Sequence, residues 1–137
     1  MATAVPGLTR TAKAAGLKID HVATNGYPWM TFARRAKVDF TAHNDELLSR
    51  IADTCVTGYE PIINSPGEFD GLGEKLQRHG LQMRSLYVNN TLHDVGKAEQ
   101  SIASALAIAK RAWKLGTRII VTNPSPIRWG GSEDKTD

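Results

Sequence analysis

The stretch AEQSIASALAIAKRAWKLGTRIIV, residues 98–121, decides the fold class. Ile102, Ala105, Leu106, Ala109, Ala112 and Trp113 recur at spacings of three and four, which predicts a helix with one apolar stripe. Lys110, Arg111 and Lys114 crowd its last turn, where the helix dipole favours cations. Gly116 is a residue that can take the left-handed conformation ending a helix. Ile119, Ile120 and Val121 then read as a buried strand. A helix closed by glycine and followed at once by an apolar run is one βα step.

Two further steps of this kind lie upstream. In SPGEFDGLGEKLQRHGLQMRSLYV, residues 65–88, Ser65, Pro66 and Glu68 spell a capping box with proline at the first helical position. Phe69, Leu72 and Leu76 face inward, Gly71 and Gly73 weaken the helix, Gly80 closes it, and Leu81 to Val88 reads as a strand. In HNDELLSRIADTCVTGYEPIIN, residues 43–64, Asn44 is the cap and Asp45 and Glu46 occupy the first turn. Leu48, Ile51, Ala52 and Cys55 form the inward face there, and Gly58 hands over to a strand from Tyr59 to Ile63. A first strand falls around Ile19 to Thr24. The predicted order is four strands alternating with three helices, with no hairpin signal between them. Strands joined by helical crossovers run parallel and follow a right-handed path, so the expected class is α/β with a parallel sheet.

Composition narrows the classes further. With 41% apolar and 23% charged residues, the 137-residue chain reads as globular and long enough for a real core. No apolar run approaches the roughly 18 residues needed to span a bilayer, and no apolar segment follows the basic residues of MATAVPGLTRTAKAAG. The single cysteine, Cys55, has no partner within the chain for a disulfide, which with the missing leader makes the cytoplasm the expected compartment. A formal charge of +3 arises from Lys and Arg scattered among 14 acidic residues, so nucleic acid is not the expected partner. The turn after the first strand, TNGYPWMTFARR (residues 24–35), lacks both GxGxxG and GxxxxGK[ST], which weakens a nucleotide-binding reading.

Three stretches, TNGYPWMTFARR, GYEPIIN (58–64) and VTNPSPIRWGGSEDKTD (121–137), stand in this order at strand ends. Together they resemble the N-terminal half of the sugar phosphate isomerase/epimerase family, whose fold is the xylose-isomerase-like TIM barrel. The resemblance covers residues 19–137 and leaves 1–18 as a lead segment. It implies a partial (β/α)8 barrel of about four strands and three helices. It implies an enzyme that, once the barrel is completed, moves a proton between carbons of a carbohydrate with the help of a metal. A divalent metal ion is implied by the family, with ligands on later strands of the barrel. This chain has no HxH, no HExxH and no acidic pair flanking a histidine, so none of its residues is assigned as a ligand and it is expected to be inactive alone.

In a parallel barrel the loops after the strands gather on one face and build the site there. That rule selects Glu60 as the catalytic candidate and Asn25, Tyr27, Trp29, Asn89, His93, Asn123 and Trp129 as candidate substrate contacts. Amides and a carboxylate hydrogen-bond hydroxyls, and flat aromatic faces suit the C–H side of a sugar, so the expected partner is a sugar or polyol. Each residue also has a purely structural reading. Glu60 could pair with Arg34 or Arg35, the asparagines could support turns, and the tryptophans could pack loops. His93 beside Asp94 reads as an oriented base or as a surface pair. His21, His43, His79 and Cys55 read as structural. Two rival functions remain: a non-catalytic carbohydrate-binding half-barrel that pairs with a copy of itself to complete the barrel, and a DNA-binding endonuclease of the abasic-site type. The latter would draw on Arg34, Arg35, Lys37 and Arg128 for phosphates.

Overall fold

Parallel pairing is the only kind among the described strands. The computed structural model describes residues 21–38 and 45–124. Within them the chain forms β1 (Ala23–Asn25), α1 (Gly26–Arg35), α2 (Asp45–Asp53), β2 (Gly58–Glu60), a 3-10 turn (Pro66–Phe69), α3 (Leu72–Arg78), β3 (Ser85–Asn90), α4 (Val95–Lys114) and β4 (Ile119–Pro124). β1 pairs with β2 from Ala23↔Gly58 to Asn25↔Glu60, and β3 pairs with β4 from Ser85↔Ile119 to Asn90↔Pro124. The parallel bridges Gly58↔Gln82 and Ile62↔Tyr87 tie β2 to β3, so the four strands lie side by side in chain order. Pro61 interrupts that middle ladder because it has no N–H to donate, but its carbonyl still accepts from Tyr87 N at 2.8 Å.

The period-two alternation of strand side chains divides the sheet into two faces. Leu86 and Val88 of β3, with Tyr59 and Ile63 around β2, pack against Leu47, Leu48 and Ile51 of α2, Leu72 and Leu76 of α3, and Ile108 and Ala112 of α4. Removing each large aliphatic side chain from water contributes about 1.5–3 kcal/mol, and this cluster is the core. Ser85, Tyr87 and Asn89 alternate onto the opposite face, which stays open. Among the described residues no helix is long and apolar enough to cross a membrane.

The mixed α/β class with parallel strands matches the sequence reading, and four details correct it. First, the described residues hold four α-helices instead of three. TNGYPWMTFARR, read as a loop, forms α1, because Asn25 Oδ1 accepts from Tyr27 N at 2.7 Å as an N-cap and Pro28 sits in the first turn, where no donor is needed. Second, the helix expected over residues 66–79 is broken. The capping box forms, with Glu68 Oε1 accepting from Ser65 N at 2.8 Å, but Gly71 at φ 70° separates the 3-10 turn from α3. Gly73 then lets α3 approach α4's end, since a Cβ there would stand 2.8 Å from Leu115.

Third, α4 turns a different side to the sheet. Ile108 and Ala112 are buried, whereas Ile102, Leu106 and Trp113 of the expected stripe are 52%, 59% and 62% exposed. The helix is apolar around more than half its circumference, so spacing alone did not fix its rotation. With Ile108 and Ala112 turned inward, Arg111 reaches the 3-10 turn, donating to Pro66 O at 2.6 Å and Asp70 Oδ1 at 2.5 Å. The exposed Trp113 ring is covered by the Arg118 guanidinium at 3.8 Å. Ile119 and Ile120 of β4 are likewise exposed, not buried. Fourth, Cys55 lies outside the inward face of α2. It is exposed at φ 65° just past the helix end, its N–H bonded to Ala52 O at 3.1 Å, in the role usually given to glycine.

An ion pair joins α2 to the end of α3. Asp45 accepts from Arg78 at 2.9 Å and lies 3.1 Å from His79 Nε2, so His79 is a structural residue at the C-cap of α3. The hydrogen bond from His79, followed by the charge of Arg78, holds the Asp45 carboxyl below its ordinary range. Its folded value is depressed, so its contribution is present above the unfolded aspartate value of about 3.9 and is lost as pH falls through the lower folded value. Urea unfolding of Asp45→Asn against wild type should show a stability gap at neutral pH that closes in acid. A gap of equal size at both pH values would remove this ion pair as its cause.

Candidate functional site

Because all four strands point the same way, their carboxyl ends open on one side, and each strand delivers an amide or carboxylate there. Asn25 ends β1 and stands opposite Glu60, which ends β2; Asn89 of β3 stands opposite Asn123 of β4. These residues meet on the open face of the sheet, away from the core. A cleft of about 510 Å³ lies above them, within the usual range for small-molecule sites. α1 supplies one wall with Tyr27, Met30, Thr31 and Arg34. Ile62, Asn64, Tyr87, Asn89 and Asn123 supply the floor and the far side, and Asn25 closes the near end.

A hydrogen-bond frame orients this floor. Glu60 Oε1 accepts from Asn25 Nδ2 at 2.6 Å, and its Oε2 accepts from Ser85 Oγ at 2.5 Å. The carboxylate therefore bridges β1, β2 and β3. Asn25 is fixed at both ends of its amide, since its oxygen caps α1 while its nitrogen binds Glu60. Asn89 Nδ2 donates to Asn64 Oδ1 at 2.8 Å. That bond leaves Asn64 with amide donors and Asn89 with a carbonyl acceptor, the pair of functions that a hydroxyl group satisfies. Tyr59 packs its ring in the core beneath Gly26, where a Cβ would stand 2.9 Å from the phenol oxygen. Burial pushes the Tyr59 phenol above its ordinary range, so it stays neutral.

The structure brings together Asn25, Tyr27, Asn89 and Asn123 around the cleft, with Glu60 bound directly to Asn25. Trp29 is held elsewhere. Its indole donates to Thr24 Oγ1 at 3.0 Å, and its ring packs at the margin of the core. His93 is exposed in the turn after β3 and is not part of the cleft lining. Asp94 does not orient it, because its carboxylate caps α4 through Gly96 N at 2.9 Å and pairs with Lys97 at 3.3 Å. Those contacts, with Lys97 first, hold the Asp94 carboxyl below its ordinary range. Trp129, Arg128 and His43 lie outside the described residues, as does the lead segment 1–18. His21 sits before β1 with Nδ1 3.3 Å from Thr57 Oγ1, and burial, aided by the charge of Arg84, lowers its pKa.

Neither Arg34 nor Arg35 pairs with Glu60 among the described residues, so the simple ion-pair reading of Glu60 gives way to the neutral frame of Asn25 and Ser85. Asn64, Ser85, Tyr87 and the α1 wall were not among the sequence candidates. Ser85 and Tyr87 were accessible through alternation, being four and two residues before Asn89 on one face. A second cavity, of about 340 Å³, lies around the start of β3 and is lined by Leu76, Leu81, Met83 and Leu115 with Gln82 and Arg84. It gathers no comparable set of convergent polar groups, so the cleft at the strand ends is the candidate site. No three His, Cys, Asp or Glu side chains come together among the described residues, and these residues do not fit a divalent metal. No family model matches the chain, and no curated protein or solved structure is significantly similar to it.

Proposed function

We propose that the cleft binds a sugar or polyol and that the chain is the N-terminal half of a sugar isomerase/epimerase-like barrel. The observation that carries the binding reading is the convergence of Asn25, Asn64, Asn89 and Asn123 on one open face, with donors and acceptors both on offer. Tyr27 and Tyr87 add flat surface suited to the C–H side of a carbohydrate. The barrel reading is supported by four parallel strands in chain order with helices packed on a common core. In the completed enzyme Glu60 is the proton-transferring carboxylate, aimed by Asn25 and Ser85. The metal that the family resemblance implies belongs with residues beyond those described.

Ligand-observed NMR with glucose, xylose, sorbitol and myo-inositol tests the binding. Saturable binding of at least one is expected, weakened about two- to tenfold in Asn89→Ala and Asn123→Ala, as the loss of one hydrogen bond predicts. Failure of all four to bind, or variants that bind as wild type does, would sink the reading. A second reading, a non-catalytic module that pairs with a copy of itself, is favoured by the exposed Ile119 and Ile120 on β4. Light scattering separates the two, since the module requires a discrete dimer.

A further inference from the structure

The side of α4 turned away from the core carries three large exposed apolar side chains, Ile102, Leu106 and Trp113, in one stripe. Leu106, Ala109, Lys110 and Trp113, at i, i+3, i+4 and i+7, enclose a shallow hollow on it, with Lys114 at the rim. Four residues at that spacing form the kind of hole that receives an apolar side chain from a neighbouring helix. Arg118, over the Trp113 ring at 3.8 Å, braces one wall of the hollow. Charge is divided along the stripe. The exposed Glu99 lies on its N-terminal half, and the exposed Lys110 and Lys114 lie on its C-terminal half. Glu99 and Lys110 stand about three turns apart, so both flank the stripe on the same edge.

We propose that this face binds a second copy of the chain, with α4 packed antiparallel to the partner's α4 about a two-fold axis at Leu106. In that register each residue faces the one equally far from Leu106 on the other side. Leu106 meets the partner's Leu106, and Ile102 enters the hollow on the partner's α4. The same register sets Glu99 beside Lys110 of the partner subunit and Lys114 of the partner subunit, and the axis makes that contact twice. A parallel pair would instead bring the basic ends of both helices together, which repulsion between like charges disfavours. The stripe is thus complementary to itself in shape and in charge, as a closed two-fold interface requires. This pairing uses neither the cleft nor β4, so it holds whatever the cleft binds and is distinct from association through Ile119 and Ile120.

Sedimentation equilibrium of the full chain tests this. One helix pair is smaller than a standard interface, so a dimer with a dissociation constant above about 1 μM is expected, and the chain is monomeric in more dilute solution. Leu106→Glu should abolish the dimer by setting two carboxylates against each other on the axis. Its circular dichroism spectrum should not change, because that side chain is exposed. Glu99→Lys should weaken the dimer about tenfold, since each reversed charge acts twice. The charge exchange Glu99→Lys/Lys110→Glu/Lys114→Glu should restore it. A wild-type chain that stays monomeric at every concentration, or that forms open-ended larger species, would overturn the proposal. So would a triple variant no tighter than Glu99→Lys, or a dimer that survives Leu106→Glu; loss of that dimer in Ile119→Glu would place the interface on β4 instead.

Discussion

Leu86→Ala is expected to lower the free energy of unfolding by about 3 kcal/mol, within the roughly 2–5 kcal/mol that large-to-small substitutions cost in a packed core. Leu86 is fully buried near the start of β3, held between β2 and β4 and pressed against the helices. Strands on both sides restrict the backbone from collapsing into the vacated space, so most of the cavity should remain. Leu106→Ala is the matched control. That leucine is 59% exposed on α4, and its truncation should cost under about 0.5 kcal/mol. Urea unfolding followed by circular dichroism measures both. Equal costs would mean that α4 turns the expected stripe to the sheet after all.

The second large effect is at Glu60. Glu60→Ala removes two charge-assisted hydrogen bonds at once, each worth roughly 1.5–3 kcal/mol, so a loss of about 3 kcal/mol is expected. The damage also reaches α1, because Asn25 loses the carboxylate that holds its amide nitrogen while its oxygen caps that helix. Glu60→Gln should cost only about 1 kcal/mol, since its oxygen can still accept from Asn25 and its amide can donate to a reoriented Ser85 hydroxyl. The two variants thus separate shape from charge. In a complete isomerase, Glu60→Gln would slow proton transfer by roughly 10²- to 10⁴-fold while leaving the cleft intact. If the alanine and glutamine variants unfold at the same denaturant concentration, the carboxylate does not strap the three strands together.

The class of fold was legible because helix, glycine and apolar run repeat three times, and a crossover between strands leaves parallel pairing as the natural outcome. Asn25, Glu60, Asn89 and Asn123 were legible for a related reason, since a residue at the end of a parallel strand is delivered to the same side whatever the crossover does. The orientation of α4 was hidden. Apolar residues such as Leu106 and Ile108 offer competing faces, and the contacts that accompany the observed one are distant in sequence, Arg111 to Asp70 lying 41 residues away. α1 was missed despite a readable cap, because Asn-Gly followed by Tyr-Pro carries turn chemistry as strongly as helix-start chemistry. Trp29 shows the limit of residue type as a guide. Its hydroxyl partner, Thr24, draws a ring suited to sugars toward the core instead.

The parallel pairing of the described strands has a consequence for how the molecule comes into being. Among the described residues no strand pairs with a neighbour reached by a tight turn; Asn25 meets Glu60 across 35 residues of chain, and Glu60 meets Ser85 across 25. Each meeting requires a long loop to close before any contact rewards it, which makes such topologies slow to fold. Helices that form from local contacts can precede the sheet by a wide interval. The carboxylate frame joins three strands and exists only when their registers agree, so the cleft takes shape at the end of folding, as a certificate of correct assembly and not a property of any one segment.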